Sequence, residues 1–156
     1  MKDLGNLQYF LGIEVARNIT EISVSQRKYV LDLLKDTGMM GCKPLDTPID
    51  PSIKLKAKAE DKLVDEGQFH RLVVKPIYLA YTRTDISFVV SCVSQFMRDP
   101  TECHIEAIKR ILRYLKGSPG RGLLFKTLEN GGIKVFVDTD WTGCPNDRRS
   151  TSRYCT

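Results

Sequence analysis

The residues best suited to chemistry lie late in the sequence. Asp138-Thr139-Asp140-Trp141 follows the apolar run Val135-Phe136-Val137. Carboxylates close together at the end of a strand are raw material for a divalent-metal site. A two-metal nuclease needs several carboxylates converging from separate elements, and a single Asp-x-Asp at a strand end is more often a turn or a cap. Both readings stand on the residues alone. Asp147-Arg148-Arg149-Ser150-Thr151-Ser152 is charged and hydroxyl-rich, fit either for phosphate contact or for an ordinary polar connection. His70 and His104 have no Cys or Ser partner in a catalytic arrangement and read as structural. Neither a Gly-rich phosphate loop nor a nucleophile elbow is present.

A second candidate surface is a basic stripe. Lys109, Arg113 and Lys116 recur at i, i+4 and i+7, with Arg110 nearby, opposite the apolar set Ala107, Ile108, Ile111, Leu112 and Leu115. A helix of this kind packs on its own domain while its other face tracks phosphates, positioning a duplex without reading its sequence. The competing reading is a solvated charged face. Arg110-Ile111-Leu112-Arg113 also fits the Arg-x-Leu-Arg pattern of oomycete host-targeting effectors. It lies late in the chain and inside a helix, so it reads as helix packing. Cys42, Cys92, Cys103, Cys144 and Cys155 are an odd set at wide spacing. That spacing excludes a zinc knuckle or ribbon and predicts reduced thiols in an intracellular, cytoplasmic or nuclear protein.

The elements that must position these residues follow from periodicity. Residues 7–16 are rich in aromatic and branched side chains and predict a strand. Ile22–Val24 is a second strand, joined through Asn18–Glu21 as a hairpin. Gly12 inside the first strand predicts a bulge or a close backbone approach. Ser25 is placed to cap a helix over 26–37 that buries Val30, Leu33 and Leu34 and closes at Gly38. The stretch 39–62, with Pro44, Pro48 and Pro51, reads as a linker. Three helices follow: 65–81, with Phe69, Leu72, Val73, Ile77 and Leu79 as its apolar set, where Pro76 predicts a kink or break; a second beginning at Asp85, with Ile86, Val89, Val90, Val93, Phe96 and Met97 at amphipathic spacing, and stopping before Asp99-Pro100; and a third capped by Thr101 that ends at Gly117. From Gly120 the period becomes two, giving strands at 123–125 and 133–137 around a turn at 129–132, with a third beginning at Arg153.

Composition sets the bounds. The chain has 156 residues, 42% hydrophobic and 28% charged, which is globular composition for one domain or parts of two. Lys and Arg outnumber Asp and Glu by 24 to 19, giving +5 and a mild bias toward anionic partners such as nucleic acid. There is no secretory h-region and no apolar run long enough to cross a bilayer, so no membrane partner is expected.

Several stretches together resemble one family. Met1-Lys2-Asp3-Leu4-Gly5, Tyr9-Phe10-Leu11-Gly12-Ile13-Glu14-Val15 and Ser25-Gln26-Arg27-Lys28-Tyr29 are similar to the reverse transcriptase of copia-type (Pseudoviridae-like) LTR retrotransposon Pol polyproteins, just after its catalytic hairpin. So are Thr47-Pro48, Arg71-Leu72-Val73, Ile77-Tyr78-Leu79, Thr82-Arg83, Asp85-Ile86 and the run Arg110 to Gly117. The stretches Asp138 to Gly143 and Asp147 to Ser152 resemble the opening of that family's ribonuclease H. The match is collinear over nearly the whole chain.

The resemblance implies an α+β fold in three parts. Residues 1–60 would be the palm edge with its primer-grip hairpin at Leu11-Gly12, helix and Pro-rich linker. Residues 61–119 would be a helical thumb-like segment, and 120–156 the first strands of a truncated ribonuclease-H-like sheet. It implies that Leu11, Gly12, Lys109, Arg113 and Lys116 contact a template–primer duplex, an RNA/DNA partner held without sequence preference. It implies that Asp138 is a remnant metal-binding carboxylate for the Mg²⁺ of the intact parent enzyme. No adjacent Asp-Asp pair occurs in the sequence, and the later ribonuclease H carboxylates are expected to be missing, so the chain is expected to be catalytically inactive and to hold no cofactor in isolation. Val74, Pro76, Thr84 and Arg153 depart from the family's usual glycine, leucine, proline and glycine. Two further expectations stand beside this one: an interaction protein or secreted effector derived from transposon sequence, and a ribonuclease H subunit completed by a partner chain.

Overall fold

The computed structural model describes residues 8–50, 55, 62–126, 136–140 and 151–155, the last two segments through their backbone alone. The chain divides into two compact units, Met1–Phe125 and Lys126–Thr156.

The first unit is α+β, with a four-stranded sheet in the order β1-β2-β3-β4. Its strands are β1 (Tyr9–Phe10), β2 (Ile13–Arg17), β3 (Glu21–Ser25) and β4 (Gly122–Lys126). The expected single strand over 7–16 is therefore two. The chain folds back at Leu11 and Gly12, whose φ angles are 49° and 83°, so that Phe10 faces Ile13 and Tyr9 faces Glu14. Two consecutive left-handed residues make the tight turn whose twist suits a two-residue hairpin. Gly12 is thus a turn residue, not a bulge. The second hairpin closes as expected through Asn18, whose Oδ1 accepts from the Glu21 N–H at 2.6 Å and the Thr20 N–H at 2.9 Å. Such self-bonding is why asparagine favours turns.

Four helices pack around one core: α1 (Arg27–Asp36), α2 (Glu66–Leu79), α3 (Ser87–Ser94) and α4 (Glu102–Gly117). The expected apolar stripes meet there. Val30, Leu33 and Leu34 of α1, Phe69 and Val73 of α2, Val89, Val90 and Val93 of α3, and Ile108, Ile111, Leu112 and Leu115 of α4 are all buried. Each such side chain contributes about 1.5–3 kcal/mol by leaving water.

Helix ends differ in detail from the expectation. Ser25 ends β3 and Gln26 is the N-cap of α1. The Lys28 N–H is satisfied instead by the Glu14 carboxylate on β2 at 2.8 Å. Pro76 does not break α2, which runs on to Leu79, with the Ala80 N–H bonded to the Pro76 carbonyl at 3.0 Å. The proline sits in the last turn, where it removes only the donor for the Leu72 carbonyl. After a short 3-10 turn at Thr84–Ile86, α3 ends at Ser94, earlier than its periodicity predicts. Phe96 leaves the helix and its ring stacks on His104, 4.0 Å between centroids. His104 in turn accepts from the Thr101 N–H at 3.0 Å, so the two residues close the start of α4 together.

The second unit contains β5 (Phe136–Asp140) paired antiparallel with β6 (Thr151–Cys155). Asp138 was expected beyond a strand end, but it lies in the middle of β5, opposite Arg153. The turn expected at 129–132 and the stretch 147–150 lie outside the described residues.

Candidate nucleic-acid interface

The β1–β2 hairpin presents three consecutive large apolar side chains to solvent. Tyr9 is 55% exposed, Phe10 57% and Leu11 69%. Burying such a run would be the default, so an exposed apolar tip is informative. It is held from behind by aromatic rings. The Tyr78 hydroxyl of α2 donates to the Leu11 carbonyl. The Tyr29 and Tyr78 rings meet edge to face at 5.3 Å, and the Tyr78 and Tyr81 rings at 6.2 Å. A Cβ placed on Gly12 would stand 3.4 Å from the Tyr29 ring. Gly12 is therefore both a left-handed turn residue and a point of close approach. Leu11 and Gly12, two of the expected site residues, are adjacent at this tip. Tyr29 and Tyr78 were missed as site residues, because nothing in their spacing marks them as partners of a turn far along the chain.

The basic stripe on α4 forms at the predicted spacing but faces a neighbour. The segment 40–50, which reads as a linker, lies against it as a strap. The Arg113 Nε donates to the Lys43 carbonyl at 2.8 Å, and the Arg113 carbonyl accepts from the Leu45 N–H at 3.3 Å. The Lys116 ammonium donates to the Met40 carbonyl at 2.7 Å and also to the Cys42 carbonyl. Arg110 reaches the Thr47 hydroxyl at 2.9 Å. Lys109 stands apart, exposed, paired with Glu106 at 2.6 Å. The structure thus places the three expected contacts on one helix, with Arg113 and Lys116 holding the strap and Lys109 facing solvent. Ile111 and Leu112 are buried, as the helix-packing reading of Arg110–Arg113 requires.

The motif residues Thr82, Arg83 and Asp85 form a separate knot. Arg83 is 1% exposed and grips the Asp85 carboxylate through Nε at 2.9 Å and Nη2 at 2.8 Å. Its Nη1 donates to the Ser118 carbonyl at 2.8 Å beyond the end of α4. The Tyr114 hydroxyl and Arg121 also donate to Asp85, at 2.7 and 3.3 Å. Burial alone would push the Asp85 carboxyl up. The bonds from Arg83, Tyr114 and Arg121 outweigh it and hold the group well below the usual carboxylate range. Burial, and then the bond to Asp85, push the Tyr114 phenol upward. Thr82 donates to the side-chain oxygen of the buried Gln26 at 2.7 Å, tying the start of α1 to the same turn. This knot is structural, a brace between helices.

Among the described residues, no three His, Cys, Asp or Glu side chains gather as metal ligands. The metal role expected of Asp138 falls outside what is described. No helix among the described residues is long and apolar enough to cross a membrane.

Comparison with known proteins supplies the family. No family model matches the chain, and no solved structure matches it. It is 46% identical over 154 residues to the retrovirus-related Pol polyprotein from transposon RE1 of Arabidopsis thaliana, covering 99% of this chain and 10% of that protein. To the corresponding polyprotein from transposon TNT 1-94 of Nicotiana tabacum it is 35% identical over 167 residues, 99% of this chain and 12% of that protein. It is also 40% identical over 76 residues to secreted RxLR effector protein 161 of Plasmopara viticola, covering 49% of this chain and 54% of that one. The chain spans about a tenth of the length of the Pol polyproteins it matches. Similarity to these polyproteins runs from one end of the chain to the other, and on that ground the chain belongs to the copia-type family of retrovirus-related transposon Pol polyproteins.

Proposed function

We propose that this chain runs from the duplex-handling end of a reverse transcriptase into the start of its ribonuclease H. In this reading the β1–β2 tip rests against a primer end while the helices behind it hold the duplex. The observation that carries it is the exposed Tyr9-Phe10-Leu11 tip, turned outward by two left-handed residues and backed by Tyr29 and Tyr78. Apolar and aromatic tips suit sugar and base faces, whereas phosphates are met by charge. Lys109, Arg113 and Lys116 supply positive potential along α4, and Lys109 carries the most accessible charge of the three.

Taken alone, these residues perform neither half-reaction. They contain no adjacent aspartates, and cations that drive nucleotide chemistry need several carboxylates meeting at one point. Fluorescence anisotropy with RNA–DNA and DNA–DNA duplexes tests the binding arm. Affinity should fall steeply as salt rises and weaken on Leu11→Asp and on Lys109→Gln. Binding that ignores salt and both substitutions would refute the reading. Primer-extension and hybrid-cleavage assays with Mg²⁺ test the catalytic arm, where no turnover is expected. Cleavage by the chain with a partner, abolished by Asp138→Asn, would instead assign it as a ribonuclease H subunit.

A second reading is favoured by the similarity to the Plasmopara effector, which covers half of this chain. It makes the chain an interaction protein of transposon origin. Arg110-Ile111-Leu112-Arg113 cannot serve that reading as a free linear motif, because its two central residues are buried. Detection of the chain outside the cells that make it would favour this reading.

A further inference from the structure

We infer that Tyr78 is a positioning residue that couples the helical bundle to the β1–β2 tip; the inference rests on the primer-end reading above. β1 is only two residues long and lies at the edge of the sheet, where it pairs with β2, so its short ladder adds little to hold the turn. A bond from outside the hairpin gives the turn a further hold. In a two-residue turn the central carbonyls take no part in the strand ladder. Here the Leu11 carbonyl accepts instead from the Tyr78 hydroxyl, 67 residues along the chain on α2. The phenol is itself held, edge to face against Tyr29 at 5.3 Å and near Tyr81 at 6.2 Å. The Tyr29 and Tyr78 rings also limit the space around Gly12, with a would-be Cβ 3.4 Å and 3.9 Å from them. A shift of α2 would thus move the Leu11 carbonyl and swing the exposed Phe10 and Leu11 side chains that precede it. Tyr78 touches no substrate in this scheme and acts through Leu11.

Tyr78→Phe keeps the ring and its packing and deletes only the hydroxyl. In a Pol polyprotein carrying this segment, single-turnover nucleotide addition should slow by about ten-fold, the scale expected for a slight misplacement of a reacting end, with template–primer Kd changed by less than about two-fold. Thermal unfolding of the present chain should be unaltered by the substitution. Unchanged nucleotide addition would overturn the inference, and so would parallel losses in rate, affinity and melting temperature, which mark a merely structural role. Leu11→Asp, at an exposed position, separates the two claims. If it leaves nucleotide addition intact, the primer-end reading falls and the inference with it. If it abolishes addition while Tyr78→Phe is silent, only the positioning role is lost.

Discussion

At Gly12 the backbone φ of 83° and the Tyr29 ring 3.4 Å from a would-be Cβ act in the same direction. Gly12→Ala should destabilise the chain by about 1–2 kcal/mol, the cost of a left-handed L-residue, and urea unfolding will measure it. An unchanged midpoint would mean that the turn relaxes freely. Asp85 carries more. With Asp85→Asn the 1%-exposed Arg83 loses its counter-charge; because the carboxylate itself is partly exposed to solvent, the expected cost is about 1–3 kcal/mol. The pH dependence follows from the sign of the shift. The carboxyl is held below its ordinary value in the fold, so its stabilisation is full above the ordinary range, near about pH 4, and is lost as pH falls further. Acid titration of the melting temperature should therefore be steeper below about pH 4 for the parent chain than for Asp85→Asn; parallel curves would exclude Asp85 as the cause.

Between elements, the strap on α4 shows what periodicity can and cannot convey. The stripe of Lys109, Arg113 and Lys116 and the buried face behind it are legible because both repeat every three or four residues. What covers the stripe is not legible. Three prolines and no apolar period make 39–62 read as a linker, and the bonds to Lys43 and Met40 reach across 70 and 76 positions. The same limit explains the first strand. Leu11 disfavours left-handed backbone by type, and the Tyr78 hydroxyl that meets its carbonyl in the turn is brought near only by the fold. The cap of α1 was misplaced because its carboxylate comes from Glu14, on another element. The core stripes of all four helices, by contrast, were readable, since each is written into its own segment. If the strap is anchored as described, the double substitution Arg113→Met with Lys116→Met should expose it. Thermolysin should then cleave near Leu45 and Ile49 several times faster, since each donor bond to a carbonyl from a charged group is worth about 1.5–3 kcal/mol. Unchanged cleavage would show that the strap is held by its apolar contacts alone.

Across the whole molecule, the division after Phe125 leaves the first unit with all of the described core. Its sheet is closed by a strand from the far end of that unit. β4 neighbours β3, and a Cβ on Gly122 would fall 2.1 Å from the Val24 carbonyl, so no side chain is tolerated at that crossing. Nearly a hundred residues therefore emerge from the ribosome between one strand and its mate, and a nascent chain meanwhile carries β3 as an open edge able to template other chains. A product halted before Gly122 should aggregate on synthesis, whereas one released after Lys126 should stay dispersed in light scattering. Equal solubility of the two would mean that the edge is guarded by something other than its late-arriving neighbour.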